Sequence, residues 1–548
     1  MAPTETAERN ADGRRKRQFQ GGRGAKRQKI KKEKPVKEGS NEEVLLADVR
    51  ALFAAQRLSE APTQEAADVE GVDGTMNGTT VTNTTLPRPF TEIDVKVLEL
   101  SSTGDGLAIH PSSDQIYAVP FSVPGDTVKV KVIKHFLDQK YSLADFISVV
   151  EPSPLRDDSR VKCQYFTKCG GCQFQMLDYA TQLQHKKSIV ERAYKNFSQL
   201  PRDLYPAIED TIGSPLQYEY RTKLTPHFDG PPDAKRSDGK HGIKRNFETV
   251  PPIGFMRKGR RETLDIEDCP IGTDAVRMGM KRERLRVAEE LQKYQRGATI
   301  LLRESTKRVA NDDPEASGDL QDTIKVTTSG HTDLKTCMTD NNGFSTEYID
   351  DFVFTNAAGS FFQNNNSILP RFTQYIRDNI LPPASSGQPE IKYLIDAYSG
   401  SGLFTITLSS LFKSSTGIDI SLPSIESARE NAALNKLSPE QCTFIAADAP
   451  ELFKSVTYPS DETVVVIDPP RKGCDESFLS QLLQFGPRRV VYVSCNVHTQ
   501  ARDVGVLVKG MGHTTTKYKV DSLRGFDFFP QTGHVEGVAV LSRVEKEE

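Results

Sequence analysis

Residues 393–409 read YLIDAYSGSGLFTITLS, an apolar segment followed by a glycine-rich turn and a second apolar segment. A strand, a tight turn and a helix in this order bring the backbone close to a nucleotide-like ligand at the carboxyl edge of a parallel sheet. Gly400 and Gly402 are the turn glycines, although a GSG turn alone is weak evidence because many helix caps look the same. The segment predicts a Rossmann-like α/β domain with a cofactor turn.

Three acids follow further strand-like segments after this turn. Asp419 ends STGID, where a carboxylate can accept both hydroxyls of a ribose, as S-adenosylmethionine enzymes commonly require. Asp448 in TFIAADAP suits an adenine edge, and Asp468 ends VVVID. Each acid could instead cap a helix, a role that aspartate fills well. Four strand-end motifs in the expected order favour S-adenosylmethionine as the cofactor.

The segment RRVVYVSC delivers Cys495 to the same predicted sheet edge as Asp468. A lone cysteine after an apolar strand is usually a buried structural residue. A nucleophile fits better beside a methyl donor, because a thiolate that adds to one carbon of an electron-poor ring makes the neighbouring carbon able to take a methyl group. A base must then remove the proton from the methylated carbon, and Glu536 in FDFFPQTGHVEG is the candidate. His534 is a rival base, or a neighbour that orients Glu536.

Three blocks carry a resemblance to a known family. DPPRKG, VVYVSCNVHT and FDFFPQTGHVE resemble the signature blocks of the RNA uracil-5-methyltransferase family, and the resemblance spans roughly residues 88 to 548. It implies that Cys495 is the nucleophile and Glu536 the base. GSFFQNNN is similar to the family's FFQ motif, which implies that Gln363 contacts the cofactor or the target base. DAYSGSG is similar to its first cofactor motif, which implies contacts from Tyr398.

The same resemblance suggests a substrate. Eukaryotic and fungal relatives methylate the T-loop uridine of transfer RNA, position 54, so we expect transfer RNA as the substrate and ribosomal RNA as the alternative. The target uridine must leave its stack to reach Cys495. Cytosine-5 methylation of RNA uses the same covalent logic, but those enzymes look different around their cysteines, and this sequence has no second catalytic cysteine in a Pro-Cys strand end. A transfer-RNA-binding chaperone with a vestigial site remains a hypothesis from another class.

The chain divides into four predicted regions. Residues 1–86 are predicted to be a disordered tail, with a possible short helix in EEVLLADVRALFAAQ. The first 40 residues hold thirteen Lys/Arg against five Asp/Glu, a charge that suits binding to RNA phosphates or nuclear import. Residues 87–151 predict a small OB-like barrel, TRAM-like by the resemblance, with a generic β-sandwich as the alternative. Residues 152–345 form an α+β central domain with a cysteine cluster, and 346–548 the Rossmann-like methyltransferase domain.

Four cysteines are spaced as a ligand set. Cys163, Cys169, Cys172 and the distant Cys269 can close one iron-sulfur cluster or one structural zinc site, and spacing alone cannot choose between them. CGGCQFQ with a later CPIG is similar to the iron-sulfur branch of the family, which implies a structural [4Fe-4S] cluster over zinc or an empty site.

The sequence also allows a prediction of the cellular location. The N-terminus lacks an apolar signal segment, and no run of eighteen apolar residues follows, which argues against secretion and membrane spans. We therefore expect the cytoplasm or the nucleus, with a mitochondrial location less favoured. Eight cysteines in 548 residues are too few for a disulfide scaffold. We expect a monomer.

Overall fold

The computed structural model describes residues 36–59, 86–231, 246–383, 389–447, 453, 456–512 and 514–544. These residues form a closed barrel, a central region and a large α/β layer, as the predicted fold class required. No helix in these ranges is long and apolar enough to cross a membrane.

A five-stranded barrel follows residue 86. Its strands pair in the order β1-β2-β3-β5-β4, and β4 closes the barrel on β1. Alternating valines such as Val95, Val97 and Val130 fill the interior, because every second residue of a strand faces the same side. The OB-like barrel is therefore confirmed. Its strands are β1 (Glu92–Leu100), β2 (Gly106–Ile109), β3 (Ile116–Val119), β4 (Thr127–Phe136) and β5 (Tyr141–Glu151).

The prediction of a disordered tail over all of 1–86 is wrong for part of it. Helix α1 (Asn41–Ser59) includes the segment noted as a possible helix. Its Leu45 and Val49 pack against Leu107 and Tyr141 of the barrel, so burial of apolar side chains holds it in place. Residues 1–35 and 60–85, including most of the basic arm, lie outside the described residues.

The central region is built from short elements around a small antiparallel sheet. That sheet has the strand order β11-β12-β10-β7, while β8 pairs with β9 and β13 forms a hairpin with β14. The elements are α2 (Tyr179–Phe197), β6 (Glu209–Ile212), β7 (Lys223–Leu224), β8 (His227–Phe228), α3 (Asp274–Glu289), β9 (Ala298–Thr299), β10 (Leu302–Val309), α4 (Pro314–Ser317), β11 (Ile324–Thr327), β12 (Thr332–Met338), β13 (Phe344–Ile349) and β14 (Phe352–Ala357).

An eight-stranded sheet with the order β17-β16-β15-β18-β19-β21-β20-β6 forms the C-terminal layer. The first five strands in this order run parallel, and β21 runs antiparallel to β19. The elements after the hairpin are α5 (Leu369–Asn379), β15 (Tyr393–Ala397), α6 (Leu403–Thr407), β16 (Ser414–Asp419), α7 (Leu422–Leu434), β17 (Cys442–Ala446), β18 (Thr463–Ile467), α8 (Glu476–Phe485), β19 (Arg489–Ser494), α9 (Val497–Lys509), β20 (Tyr518–Phe526) and β21 (Glu536–Arg543).

Two elements from the central stretch of sequence join this layer. Strand β6 adds parallel to β20 at the sheet edge, and helix α2 packs against α9 and β20. Residues 179–212 are therefore continuous with the α/β layer in space, although 131 residues, 213–343, separate them from hairpin β13–β14 in the chain.

Candidate active site

One large cavity opens at the carboxyl ends of the parallel strands, the edge at which open α/β sheets bind their ligands. Its volume is about 1220 Å³. One side, which we call the strand-end wall, is lined by Gly400, Asp419, Asp468 and Cys495. Another part of the lining, which we call the cysteine wall, includes Cys163, Cys169, Cys172 and Cys269. The cavity therefore brings both predicted groups of residues together.

The turn after β15 has a left-handed backbone conformation, which residues other than glycine rarely adopt. Tyr398, Gly400 and Gly402 have φ of 64°, 53° and 92°. A Cβ added to Gly400 would meet nothing within 4 Å, so this glycine faces open space, whereas Gly402 stands at the start of α6. The Asp419 carboxylate accepts hydrogen bonds from the backbone N–H of Gly400 (3.0 Å) and of Ser421 (2.8 Å). These contacts fix an acid beside an open turn.

Two polar atoms near this turn have no hydrogen-bond partner among the described residues. They are Oδ1 of Asp396 and Oγ of Ser399. Burial raises the pKa of Asp396 to about 7, although Thr405 donates two hydrogen bonds to its other oxygen. Buried polar groups are normally paired, so the unpaired Oγ of Ser399, which lines the cavity, fits a polar ligand in the turn. Asp396 was not predicted, yet an acid inside an apolar strand is a signal for it.

The two predicted catalytic residues flank the last pair of a strand ladder. The β19–β21 ladder ends with Ser494 paired to Gly537; Cys495 follows Ser494 and Glu536 precedes Gly537. The charge of Glu536 raises the pKa of Cys495, so the two side chains lie near each other. Glu536 is buried and Cys495 is half-buried, and both line the cavity.

Burial dominates the electrostatics of this pair. It raises the pKa of the Cys495 thiol to about 12, with further increases from the charges of Glu536 and Asp468. Burial also raises the pKa of Glu536 well above its usual range, and Asp468 raises it further. The pKa of Asp468 itself is raised to about 7 by burial and then by Asp396. The two acids and the thiol therefore lie in one buried pocket, close enough for the acids to raise the pKa of the thiol.

Arg471 opposes these shifts and was not predicted. Its charge lowers the pKa of both Cys495 and Glu536. Its carbonyl oxygen accepts hydrogen bonds from Nδ2 of Asn496 (3.0 Å) and Oγ1 of Thr499 (3.2 Å), which hold it against the turn that carries the cysteine. The sequence could have indicated Arg471, because it follows Asp468 by three residues in the strand-end segment DPPR.

The remaining predicted residues differ in their placement. Gln363 lines the cavity beside Phe361, whose ring is 77% exposed. His534 also lines it, and burial together with nearby cations lowers its pKa to about 4, so its ring is neutral. Asp448 lies outside the described residues.

The cysteine wall gathers four thiols from two separate loops, three from one and Cys269 from the other. Burial is the first cause that raises the pKa of Cys269, to about 12, and Cys163 and Cys169 contribute. Burial likewise raises the pKa of Cys172, with Cys269 as the next cause. The thiols are therefore close enough to influence one another. Yet in the described part of the chain no three His, Cys, Asp or Glu side chains are grouped so that they could hold a metal ion.

The loop that holds three of these cysteines is tied to the strand-like stretch 254–264. The N–H of Gly170 donates to the carbonyl of Met256 (3.1 Å), and the N–H of Lys258 donates to that of Lys168 (2.9 Å). The side chain of Lys258 also pairs with Asp105 of the barrel, at 3.0 Å. The cysteine wall therefore connects the barrel to the cavity.

Comparison with known proteins identifies two matching regions. Residues 342–544 match the family described as tRNA (Uracil-5-)-methyltransferase, and residues 88–143 match the TRAM domain. The second match confirms the TRAM-like prediction for the barrel.

Full-length relatives agree with these matches. A tRNA (uracil(54)-C(5))-methyltransferase of Schizosaccharomyces pombe is 43% identical over 528 residues, 95% of this chain and 87% of the relative. One of Saccharomyces cerevisiae is 41% identical over 483 residues, 82% of this chain and 73% of the relative. Pyrococcus abyssi tRNA (uracil-54, C5)-methyltransferase, crystallised with S-adenosyl-L-homocysteine, is similar in fold, with a TM-score of 0.55 and 24% identity over 82% of this chain and 100% of that one. The chain belongs to the tRNA (uracil-5-)-methyltransferase family.

Proposed function

We propose that this protein methylates carbon 5 of uridine 54 in the T-loop of transfer RNA, with S-adenosylmethionine as the methyl donor. The observation that carries the proposal is that Cys495 and Glu536, which flank the last pair of the β19–β21 ladder, line the same cavity as the cofactor turn. A nucleophile and a base that line one cavity match a reaction in which both act on the same pyrimidine ring. Family membership and the names of the fungal relatives support transfer RNA as the substrate.

The proposed reaction begins at the thiol. Sγ of Cys495, as the thiolate, forms a bond to carbon 6 of the uracil, and the electron pair of the 5,6 double bond moves toward carbon 5 and oxygen 4. Carbon 5 then attacks the methyl group of the donor. Glu536 removes the proton from carbon 5, the C5–H electron pair restores the double bond, and the C6–S bond breaks to return the thiolate.

The strand-end wall suits the donor. Asp419 is positioned to accept from ribose hydroxyls, and Gly400 leaves its backbone open for close approach. The unpaired Oγ of Ser399, which also lines the cavity, offers further hydrogen-bonding capacity. S-adenosylmethionine, when bound here, supplies an electrophilic methyl group and leaves as S-adenosylhomocysteine. Tyr398 and Gln363 are proposed neighbours of the donor or the target base, since both line the cavity.

Methyl transfer to defined RNA tests the proposed function. Labelled S-adenosylmethionine is supplied with an unmodified transfer RNA transcript, the same transcript with cytidine at position 54, and ribosomal RNA fragments. We expect 5-methyluridine in the first RNA alone, and none from Cys495→Ala. Transfer to ribosomal RNA would change the substrate, and RNA folding without any transfer would support a chaperone instead.

We also propose that the cysteine wall holds an iron-sulfur cluster with a structural role. Four thiols are the donor set that such a cluster needs, and they line one cavity, although in the described residues they are not grouped closely enough to hold a metal ion without a shift of their loops. Their raised pKa values mean that ligation must displace four protons, which a bound metal does. No step of the proposed methyl transfer passes through the cluster.

Metal analysis distinguishes the possible contents of this wall. Anaerobically purified protein is assayed for iron, acid-labile sulfide and zinc, with a Cys172→Ser variant as the control. We expect about four irons and four sulfides per chain, as a tetranuclear cluster contains. Stoichiometric zinc, or a metal-free protein of unchanged stability, would contradict the cluster.

A further inference from the structure

Lys186 is a fully buried lysine, a residue type that is almost never buried without a partner. Its ammonium group donates to Oδ1 of Asp527 (2.5 Å), to the carbonyl of Phe529 (3.0 Å) and to the carbonyl of His534 (2.6 Å). A lysine has three donors. All three are spent on one segment, residues 527–535, which we call the base loop.

The base loop connects β20 to β21, and Glu536 is the first residue of β21. Its Gln531 has a φ of 70°, a conformation that non-glycine residues disfavour. Such a loop needs bonds from outside to keep its shape. The carbonyl that Lys186 holds at His534 is two residues from the proposed base, so a shift there moves the Glu536 carboxylate.

One face of helix α2 supplies the outside bonds. Tyr179, Gln182 and Lys186 lie at positions i, i+3 and i+7, which share a helix face. The Tyr179 hydroxyl donates to Oδ2 of Asp527 (2.9 Å), and Oε1 of Gln182 accepts from the N–H of Gln531 (3.0 Å). Helix α2 thus holds the base loop through three side chains, and the ammonium group of Lys186 makes three of the hydrogen bonds.

Stability alone is a poor explanation for this buried pair. The loss of hydration on burying two charges commonly equals their attraction, and well-packed apolar residues can replace such pairs without loss. Apolar residues could not donate hydrogen bonds to the carbonyls of Phe529 and His534. The distinctive contribution of Lys186 is therefore geometric.

We propose that Lys186 is a positioning residue for the last step of the reaction, because it fixes the base loop so that Glu536 reaches the proton on carbon 5. The inference rests on the proposed function. In that step the proton passes to the Glu536 carboxylate, the C5–H electron pair forms the 5,6 double bond, and the C6–S bond breaks with its electrons on Cys495. Lys186 exchanges no proton with the substrate.

The test separates methyl transfer from product release. The full-length Lys186→Met/Asp527→Asn variant removes both charges together, so that neither is left buried alone. Lys187→Met is the matched control, since the neighbouring Lys187 pairs with the exposed Asp210 instead. Glu536→Gln is the reference for a missing base. Each variant receives labelled S-adenosylmethionine and transfer RNA for one turnover, and denaturing gels follow methylated RNA that is still bonded to protein.

We expect the double variant to transfer the methyl group but to release RNA about tenfold or more slowly, since small displacements of reacting groups cost that much. Methylated RNA should then stay bonded to protein, as with Glu536→Gln, while Lys187→Met behaves like wild type. Tyr179→Phe keeps both charges and should slow release less, which provides a second reading if the double variant folds poorly.

Release at the wild-type rate, or equal slowing of transfer and release, would overturn the inference. Absence of methyl transfer by the wild type would instead reject the proposed function.

Discussion

The strand-end wall and the cysteine wall border the same cavity but are built differently. The first takes its residues from the ends of adjacent strands, where backbone hydrogen bonds set the spacing of Gly400, Asp419, Asp468 and Cys495. The second takes its cysteines from loops joined by a few backbone contacts. Chemistry that needs fixed distances belongs to the first wall, whereas the second connects the barrel to the rest.

The largest expected effect is on the base that faces the strand-end wall. Glu536→Gln keeps the shape of the side chain but cannot accept the carbon 5 proton. We expect turnover to fall by about 100-fold to 10 000-fold, the usual contribution of a general base. Steady-state methylation assays measure the fall, and methylated RNA should remain bonded to Cys495. Turnover close to wild type would remove Glu536 from the mechanism.

The next effect tests the electrostatics of the same wall. In the proposed reaction Cys495 and Glu536 both act without their protons, and both have raised pKa values, so activity should increase as pH rises from 6 to 9. Arg471→Met removes a charge that lowers both pKa values. We expect a loss of about tenfold or more at pH 7 that shrinks as pH increases. A loss by the same factor at every pH would mean that Arg471 acts through contacts alone.

A smaller effect is expected for cofactor binding. Asp419→Ala removes the carboxylate beside Gly400, and hydrogen bonds to a charged group contribute about 1.5–3 kcal/mol. Affinity for S-adenosylhomocysteine, measured by calorimetry, should therefore fall by about tenfold to 100-fold while transfer RNA affinity is retained. Unchanged cofactor affinity would place the ribose elsewhere in the cavity.

The smallest effect on chemistry is expected from the cysteine wall. Cys172→Ser should lower bound iron and the melting temperature, while the methylation rate of the folded fraction changes less than in any strand-end variant. Thermal unfolding and single-turnover rates on the same preparation check this. A chemical rate lost as fully as with Glu536→Gln would show that the two walls are not functionally separate.

The sequence predicted the strand-end wall because local patterns sufficed. An apolar strand followed by Asp419, Asp468 or Cys495 places that residue at a shared edge whatever the rest of the chain does. The position of Glu536, the proposed base, also followed from its block, although its nearness to Cys495 did not.

Other features depend on residues far apart in the chain. Lys186 meets Asp527 across 341 positions, and β6 joins a sheet whose other strands begin at residue 393. No periodicity within α2 could reveal that its buried face binds the base loop. Likewise, helix α1 packs on an apolar surface of the barrel that includes Leu107 and Tyr141. The sequence of the helix alone could not predict that contact.

The most direct test of the account is a covalent trap. Transfer RNA with 5-fluorouridine at position 54 is incubated with S-adenosylmethionine and either wild-type protein or Cys495→Ser, and adducts are mapped by mass spectrometry. Fluorine cannot leave carbon 5 as a proton does, so we expect wild type to accumulate a methylated adduct bonded through Cys495, and the variant to form none. An adduct at another residue, or none in wild type with donor bound, would contradict the mechanism.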